Sequence, residues 1–131
     1  VSNTLIRTFP VGTDVEIFSF KLLEKSWENS TLPSEREHVT PYIRNKKLNC
    51  RLGNLENDKK LGQLRWTLDR IEDFELIKKI IEKISKRPIL MNDILDLFSA
   101  EPELIKINAH ISQNEGMQRS LKKDKQKTNQ E

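Results

Sequence analysis

Leu64-Arg65-Trp66-Thr67-Leu68-Asp69-Arg70-Ile71-Glu72-Asp73-Phe74-Glu75-Leu76-Ile77 changes its hydrophobic period halfway along. Leu64, Trp66 and Leu68 alternate with Arg65 and Thr67, which predicts a strand with one buried face. Phe74, Ile77, Ile81 and Ile84 then recur at helical spacing, with Ile80 beside them, and predict an amphipathic helix over 74–84. Asp69 falls where strand hands over to helix, on the edge where α/β sheets place ligands and metals. Glu72 and Asp73 fall in the first helical turn, where the helix dipole favours negative charge.

Upstream, residues 1–8 are short, mixed and strand-like, and Gly12 marks a turn after Pro10. Val15 and Ile17 alternate with Asp14 and Glu16, so these two carboxylates share a strand face that either lines a cleft or meets water. Ser19 can cap a helix over 20–29 carrying Phe20, Leu23 and Trp27 at helical spacing, with Trp27 read as core or interface. Ser34-Glu35-Arg36-Glu37 has the form of a capping box, serine at the N-cap and glutamate at N3. Pro41 either kinks the helix that follows or opens a second one behind Thr40. A polar turn at 45–47 leads to Leu48, Cys50 and Leu52, which alternate with Asn49 and Arg51 as a strand running to Leu55. That strand is expected to pair with 64–68, since the connection is short, and to bury Cys50 as a small hydrophobe.

Downstream, Lys86-Arg87-Pro88 breaks the chain. Asn92 or Asp93 starts a helix with Ile94, Leu95 and Phe98 on one face, and Pro102 starts another with Leu104 and Ile105. Such helices suit packing on a sheet or a dimer contact.

The 131 residues suggest one domain with a modest core, being 35% hydrophobic and 33% charged. The net charge of +3 resides wholly in the C-terminal tail: residues 1–117 hold 18 basic and 18 acidic side chains, and 118–131 hold five and two. The body therefore offers no electrostatic case for nucleic acid, and 118–131 read as a solvated, disordered tail. A single Cys50 excludes an internal disulfide and CxxC-type zinc or redox sites. No apolar run approaches the roughly 20 residues that span a bilayer. With no signal-peptide pattern, a cytoplasmic protein is expected. The Val-Ser-Asn start reads as the middle of a larger polypeptide.

The opening stretch also resembles the C-terminal signature of the spore coat polysaccharide biosynthesis protein F family, sugar nucleotidyltransferases related to the cytidylyltransferases that activate KDO and sialic acid. Pro10-Val11-Gly12-Thr13-Asp14-Val15-Glu16-Ile17-Phe18-Ser19-Phe20, Leu32-Pro33-Ser34-Glu35-Arg36-Glu37-His38-Val39-Thr40-Pro41-Tyr42-Ile43 and Asn114-Glu115-Gly116 agree with it, in the family's order. The resemblance implies an α/β chain: the C-terminal part of a nucleotide-diphospho-sugar transferase fold, Rossmann-like and three-layered, with few strands and several helices. Residues 1–117 would be the acceptor-side half. By the same resemblance Asp69 is a magnesium (Mg2+) ligand, Asp14 and Glu16 line the cleft, and Glu35, Arg36, Glu37 and His38 are candidates for sugar contacts. Each also has a purely structural reading. Asp69 can cap a helix, Glu35 and Glu37 can serve a helix end, and His38, like His110, can hydrogen-bond on a helix surface. His38 can alternatively take the proton of a sugar hydroxyl, because histidine titrates near neutrality. Asp73 reads as helix electrostatics.

Transfer of a cytidylyl group needs a triphosphate cradle, a divalent metal between phosphates and an acceptor oxygen in line. The cradle is absent here, since the four glycines stand singly and no P-loop is present. The chain is therefore expected not to catalyse transfer alone. Two function classes follow. One is the acceptor-side part of an enzyme using CTP and a sugar or sugar acid for surface polysaccharide. The other is a non-catalytic module, derived from that family, that dimerises or binds a partner protein.

Overall fold

The structure, a computed structural model, describes residues 1–44, 48, 50–113 and 115–128. The expected turn at 45–47, Asn49 of the expected strand and Asn114 lie outside the described residues. Six α-helices form among them: α1 Phe20–Asn29, α2 Pro33–His38, α3 Pro41–Arg44, α4 Ile71–Lys83, α5 Met91–Ala100 and α6 Glu115–Thr128, with a 3-10 helix at Pro102–Ile107 before α6. The chain forms two compact units, where length alone suggested one domain. One comprises the described residues of Val1–Leu5, Val15–Leu55 and Gln113–Glu131, the other Ile6–Asp14 and Glu56–Ser112.

The helices before α6 follow the sequence closely, but their caps do not. Ser19 caps α1 as expected, its hydroxyl accepting from the Leu22 amide at 3.3 Å. The N-caps of α2, α4 and α5 are instead Leu32, Arg70 and Leu90, and none caps through its own side chain. An acidic residue at N3 closes each start by reaching back to the N-cap amide: Glu35 to Leu32 at 3.2 Å, Asp73 to Arg70 at 3.2 Å and Asp93 to Leu90 at 2.8 Å. Ser34 is thus inside α2 and not its cap. Pro41 opens α3, as the second of its two readings required. The reversal between α2 and α3 holds the β-branched Val39 at φ +64°, where L-residues are strained, and the Ser26 hydroxyl donates to its carbonyl at 3.0 Å.

The expected strands shrink to isolated bridges. Ser2 pairs with Glu16 and with Asn54 in the first unit, and Val11 with Arg65 in the second. The expected partnership of 48–55 with 64–68 does not form among the described residues; Asn54 and Arg65 take other partners. Alternating residues meant to face a core, such as Val15, Ile17, Leu52, Leu55 and Leu68, are exposed, so nothing drives these segments into longer ladders. Cys50 is half-buried, not buried.

In the second unit Leu64, Leu76, Ile80, Phe98 and Leu104 form the buried core. Trp66 joins it through an edge-on contact with Phe98, ring centroids 6.3 Å apart. The Val11–Arg65 bridge needs Gly12, which has φ +103° and lies so close that a Cβ there would stand 2.7 Å from the Trp66 carbonyl carbon. Gly12→Ala is expected to cost about 2 kcal/mol, combining overpacking with an unfavourable φ. A urea midpoint unchanged from wild type would refute this. The first unit buries Ile43 and a set of small hydroxyl residues, Ser2, Ser26, Ser30, Ser34 and Ser120 among them.

Residues 118–131, read from composition as a solvated tail, belong up to Thr128 to helix α6. Its basic residues from Arg119 to Lys127 are exposed, while Ser120 and Asp124, one turn apart, are buried against α2. The Asp124 carboxylate accepts from the Ser34 amide at 2.9 Å. Among the described residues no helix is long and apolar enough to cross a membrane.

Candidate functional site

The start of α4 is built around Asp73, whose relative exposure is 0%. Its Oδ1 accepts from Arg65 Nε at 3.0 Å and Asn108 Nδ2 at 2.8 Å. Its Oδ2 accepts from Arg65 Nη2 at 2.9 Å, the Thr67 hydroxyl at 3.3 Å, and the amides of Asp69 and Arg70 at 3.0 and 3.2 Å. Burial pushes this carboxyl's pKa up, but the bonds from Arg65, the Asp69 amide and Asn108 outweigh it and hold it well below the usual range. Arg65, expected on a polar strand face, is buried with it, and Asn108 also donates to the Arg65 carbonyl at 3.0 Å. This lock turns α4 from its expected register. Asp73, Leu76 and Ile80 face inward, while Phe74 and Ile81 of the predicted stripe are half exposed. Ile77, Ile80, Ile81, Ile89 and Ile94 line a cavity of about 300 Å³ beside Trp66, with Arg65, Thr67 and Asp73 among its polar lining.

Asp69 sits outside the lock. Its side chain is 68% exposed and its carboxylate pairs with Arg65 Nη2 at 3.2 Å. It is not the helix cap, since Arg70 holds that position and Asp73 bonds its amide. Both oxygens of Asp73 are occupied by donors, so Asp73 has no lone pair to spare for a metal. Among the described residues no three His, Cys, Asp or Glu side chains gather to hold a metal ion. Magnesium, however, takes one or two protein carboxylates together with phosphate oxygens and water. The single exposed Asp69 fits one such ligand.

The other candidates divide between the units. Asp14, in the second unit, pairs in a fork with Arg7 at 2.6 and 2.9 Å. Glu16, in the first, pairs with Arg44, which also donates to the Thr4 hydroxyl at 2.7 Å. No common strand face holds the two carboxylates, because 13–15 is not strand. Glu35 is buried and its carboxylate accepts from the Thr31 and Leu32 amides at 3.1 and 3.2 Å, so it serves the start of α2. The Arg36 guanidinium lies 4.7 Å from the ring centroid of Trp27. Trp27, expected in a core or interface, is 72% exposed. Glu37 and His38 meet on one atom, the Ser120 hydroxyl of α6. The bond from Ser120 holds the Glu37 carboxyl below its ordinary value. His110 lies apart, exposed and 3.8 Å from Glu72.

Sequence reading missed Arg65, Asn108 and Ser120. Arg65 carried one signal, its spacing of four from Asp69 and eight from Asp73. Asn108 and Ser120 carried none, lying 35 residues from Asp73 and 83 from Glu37.

The lowered carboxyls set an acid limit. Asp73 and Glu16 are both buried enough to lose solvation, yet their arginine partners bring their pKa values down. Each stays ionised to lower pH in the folded chain than in the unfolded one. The stabilisation is therefore complete above the unfolded values, about 3.9 for Asp and 4.3 for Glu, and is lost as pH falls through the folded values. Denaturant titrations are expected to show stability level near pH 7 and falling below about pH 4, with a shallower fall in Asp73→Asn. A profile that does not fall in acid would contradict the lock.

No family model matches the chain. It is 31% identical over 105 residues to an uncharacterized protein of Methanocaldococcus jannaschii, a match covering 79% of this chain and 43% of that one. It is 32% identical over 104 residues to the spore coat polysaccharide biosynthesis protein SpsF of Bacillus subtilis, covering 76% of this chain and 43% of SpsF. Among solved structures, a cytidylyltransferase from Leptospira borgpetersenii matches with a TM-score of 0.73 and 33% identity, over 79% of this chain and 44% of that one. The chain thus spans less than half the length of the relatives it matches, and over that span it has the α/β fold of a nucleotidyltransferase. By this sequence likeness to SpsF, with the fold to match, the chain is similar over that span to the spore coat polysaccharide biosynthesis protein F family.

Proposed function

We propose that these residues are the acceptor-side part of a nucleotidyltransferase that moves a nucleotidyl group from a nucleoside triphosphate, CTP by resemblance, to a sugar or sugar acid for surface polysaccharide. The observation that carries the reading is the division of labour between Asp73 and Asp69. Asp73 is saturated and structural, and it fixes the backbone of Asp69, whose carboxylate stays open to solvent. In this reading Asp69 holds magnesium, which when bound neutralises phosphate charge. Glu16, Arg36, Glu37 and His38 are the acceptor contacts, and Arg36 on Trp27 presents a flat cation suited to a carboxylate or hydroxyl oxygens. Asp14 is held by Arg7 and Glu35 by its helix end, so each serves its own backbone. The test is magnesium-dependent CTP binding by the chain joined to the remaining part of SpsF, compared with its Asp69→Ala variant.

A second reading has its own support. Phe20 and Trp27 stand 76% and 72% exposed on one side of α1, as on a dimerisation or interaction module. On that reading Asp69→Ala leaves nucleotide binding untouched and removal of Trp27 changes the sedimentation of the chain.

A further inference from the structure

Ser120 lies in α6, which composition assigned to a solvated tail, and its exposure is 0%. Its hydroxyl has three neighbours. Glu37 Oε2 lies at 2.7 Å, His38 Nε2 at 3.1 Å and the Gly116 carbonyl oxygen at 3.1 Å. A hydroxyl carries one proton. Giving it to His38 would leave the Ser120 oxygen facing the Glu37 carboxylate at 2.7 Å with no hydrogen between them. The proton therefore goes to an acceptor oxygen, and the short contact to a charged carboxylate is the stronger choice. Ser120 must then accept from His38, so Nε2 carries the hydrogen of the neutral ring. The other nitrogen, Nδ1, keeps its lone pair and has no partner among the described residues. His38 itself is half-buried, at the edge of solvent.

We infer that Ser120 is a positioning residue that locks His38 in the Nε2–H tautomer and leaves Nδ1 as a base for the acceptor hydroxyl. The use of the base rests on the transferase reading above; the tautomer does not. In the step, the acceptor oxygen forms a bond to the α-phosphorus, the bond from that phosphorus to the bridging oxygen breaks, and pyrophosphate leaves. The hydroxyl proton goes to His38 Nδ1. The charged group beside the ring is Glu37, whose carboxylate also feels Lys123 and Arg119 of α6. A tautomer set by the bond at the opposite nitrogen is the usual way a protein aims an imidazole.

The experiment uses the 131-residue chain itself. Long-range proton–nitrogen NMR reads the His38 tautomer and the exchange of its ring proton in wild type, Ser120→Ala and Ser120→Thr, with His110→Gln to assign the signal. Wild type should show an Nε2–H ring with a slowly exchanging proton. In Ser120→Ala that exchange should quicken about tenfold, the loss of one hydrogen bond of typical strength. Ser120→Thr, which keeps the hydroxyl, should restore it. A wild-type ring protonated at Nδ1 overturns the inference, and so does unchanged exchange in Ser120→Ala with α6 still protected. If Ser120→Ala frees α6, the wild-type tautomer and the threonine variant still decide. None of these readouts requires activity, so failure of the transferase reading would show separately, as an absence of turnover in the completed enzyme with the tautomer intact.

Discussion

Asp73→Ala is expected to destabilise the chain by about 3–5 kcal/mol, the range for breaking a buried ion pair by removing one partner. The carboxylate is fully buried and takes bonds from Arg65, Asn108, Thr67 and the amides of Asp69 and Arg70. Removing it leaves the Arg65 guanidinium buried without its charge partner, Asn108 short of one acceptor, and the first turn of α4 uncapped. Each loss alone is modest, but here they fall on one group in a poorly solvated place, where an unpaired charge is costly. Asp73→Asn keeps the shape but not the charge, and it should recover only part of the loss. Against a total of about 5–15 kcal/mol for a domain, the alanine variant's loss is a large share of the stability. Urea unfolding followed by circular dichroism measures the effect. A loss under about 1 kcal/mol would mean that Arg65 finds water or another partner, and the lock would not be the organising feature of α4.

Asp69→Ala should do the reverse. Its carboxylate is mostly exposed, and its one ion pair is with an arginine that keeps Asp73 when Asp69 is gone. The stability change should stay within about 0.5 kcal/mol, as for ordinary surface positions. In the chain completed by the remaining part of SpsF, magnesium-dependent CTP binding should weaken at least about 100-fold, the upper range for loss of a mere outer-shell partner. Binding measured by titration calorimetry at fixed magnesium separates the outcomes. Equal affinity in wild type and variant would remove Asp69 from the site. No affinity in either would favour the interaction module. Two aspartates four residues apart are thus predicted to fail in opposite ways, one in stability and one in binding.

Helices were legible because their signals are local. The run from Phe20 to Asn29, the break at Lys86-Arg87-Pro88 and the helix starts at Pro41 and Pro102 all depend on neighbours within a turn or two. At the end of α4 the Arg87 side chain donates to the carbonyls of Ile81, Ile84 and Lys86, so the same break also caps the helix. Strands were not legible, because alternation states only that a segment could pair. Partners at Ser2 and Val11 were chosen by chain paths that no window of sequence contains. Capping was half legible: acidic residues stand in the first turns of α2, α4 and α5, but Glu35, the residue after Ser34, closes the start of α2 in place of the serine.

The sequence by itself determined the helical segments before α6, the family resemblance, and the short list of polar residues proposed for the site, since these rest on local periodicity and on residue identity in order. Only the tertiary structure decided which of two neighbouring aspartates is buried and which is exposed, which face of α4 turns inward, and that α6 supplies the hydroxyl between Glu37 and His38. Those outcomes depend on Asn108 reaching Asp73 and Ser120 reaching Glu37 across 35 and 83 residues. The physical reason is that burial and hydrogen bonding, which decide the state of a charged side chain, are set by whatever the folded chain brings alongside it and not by its neighbours in sequence.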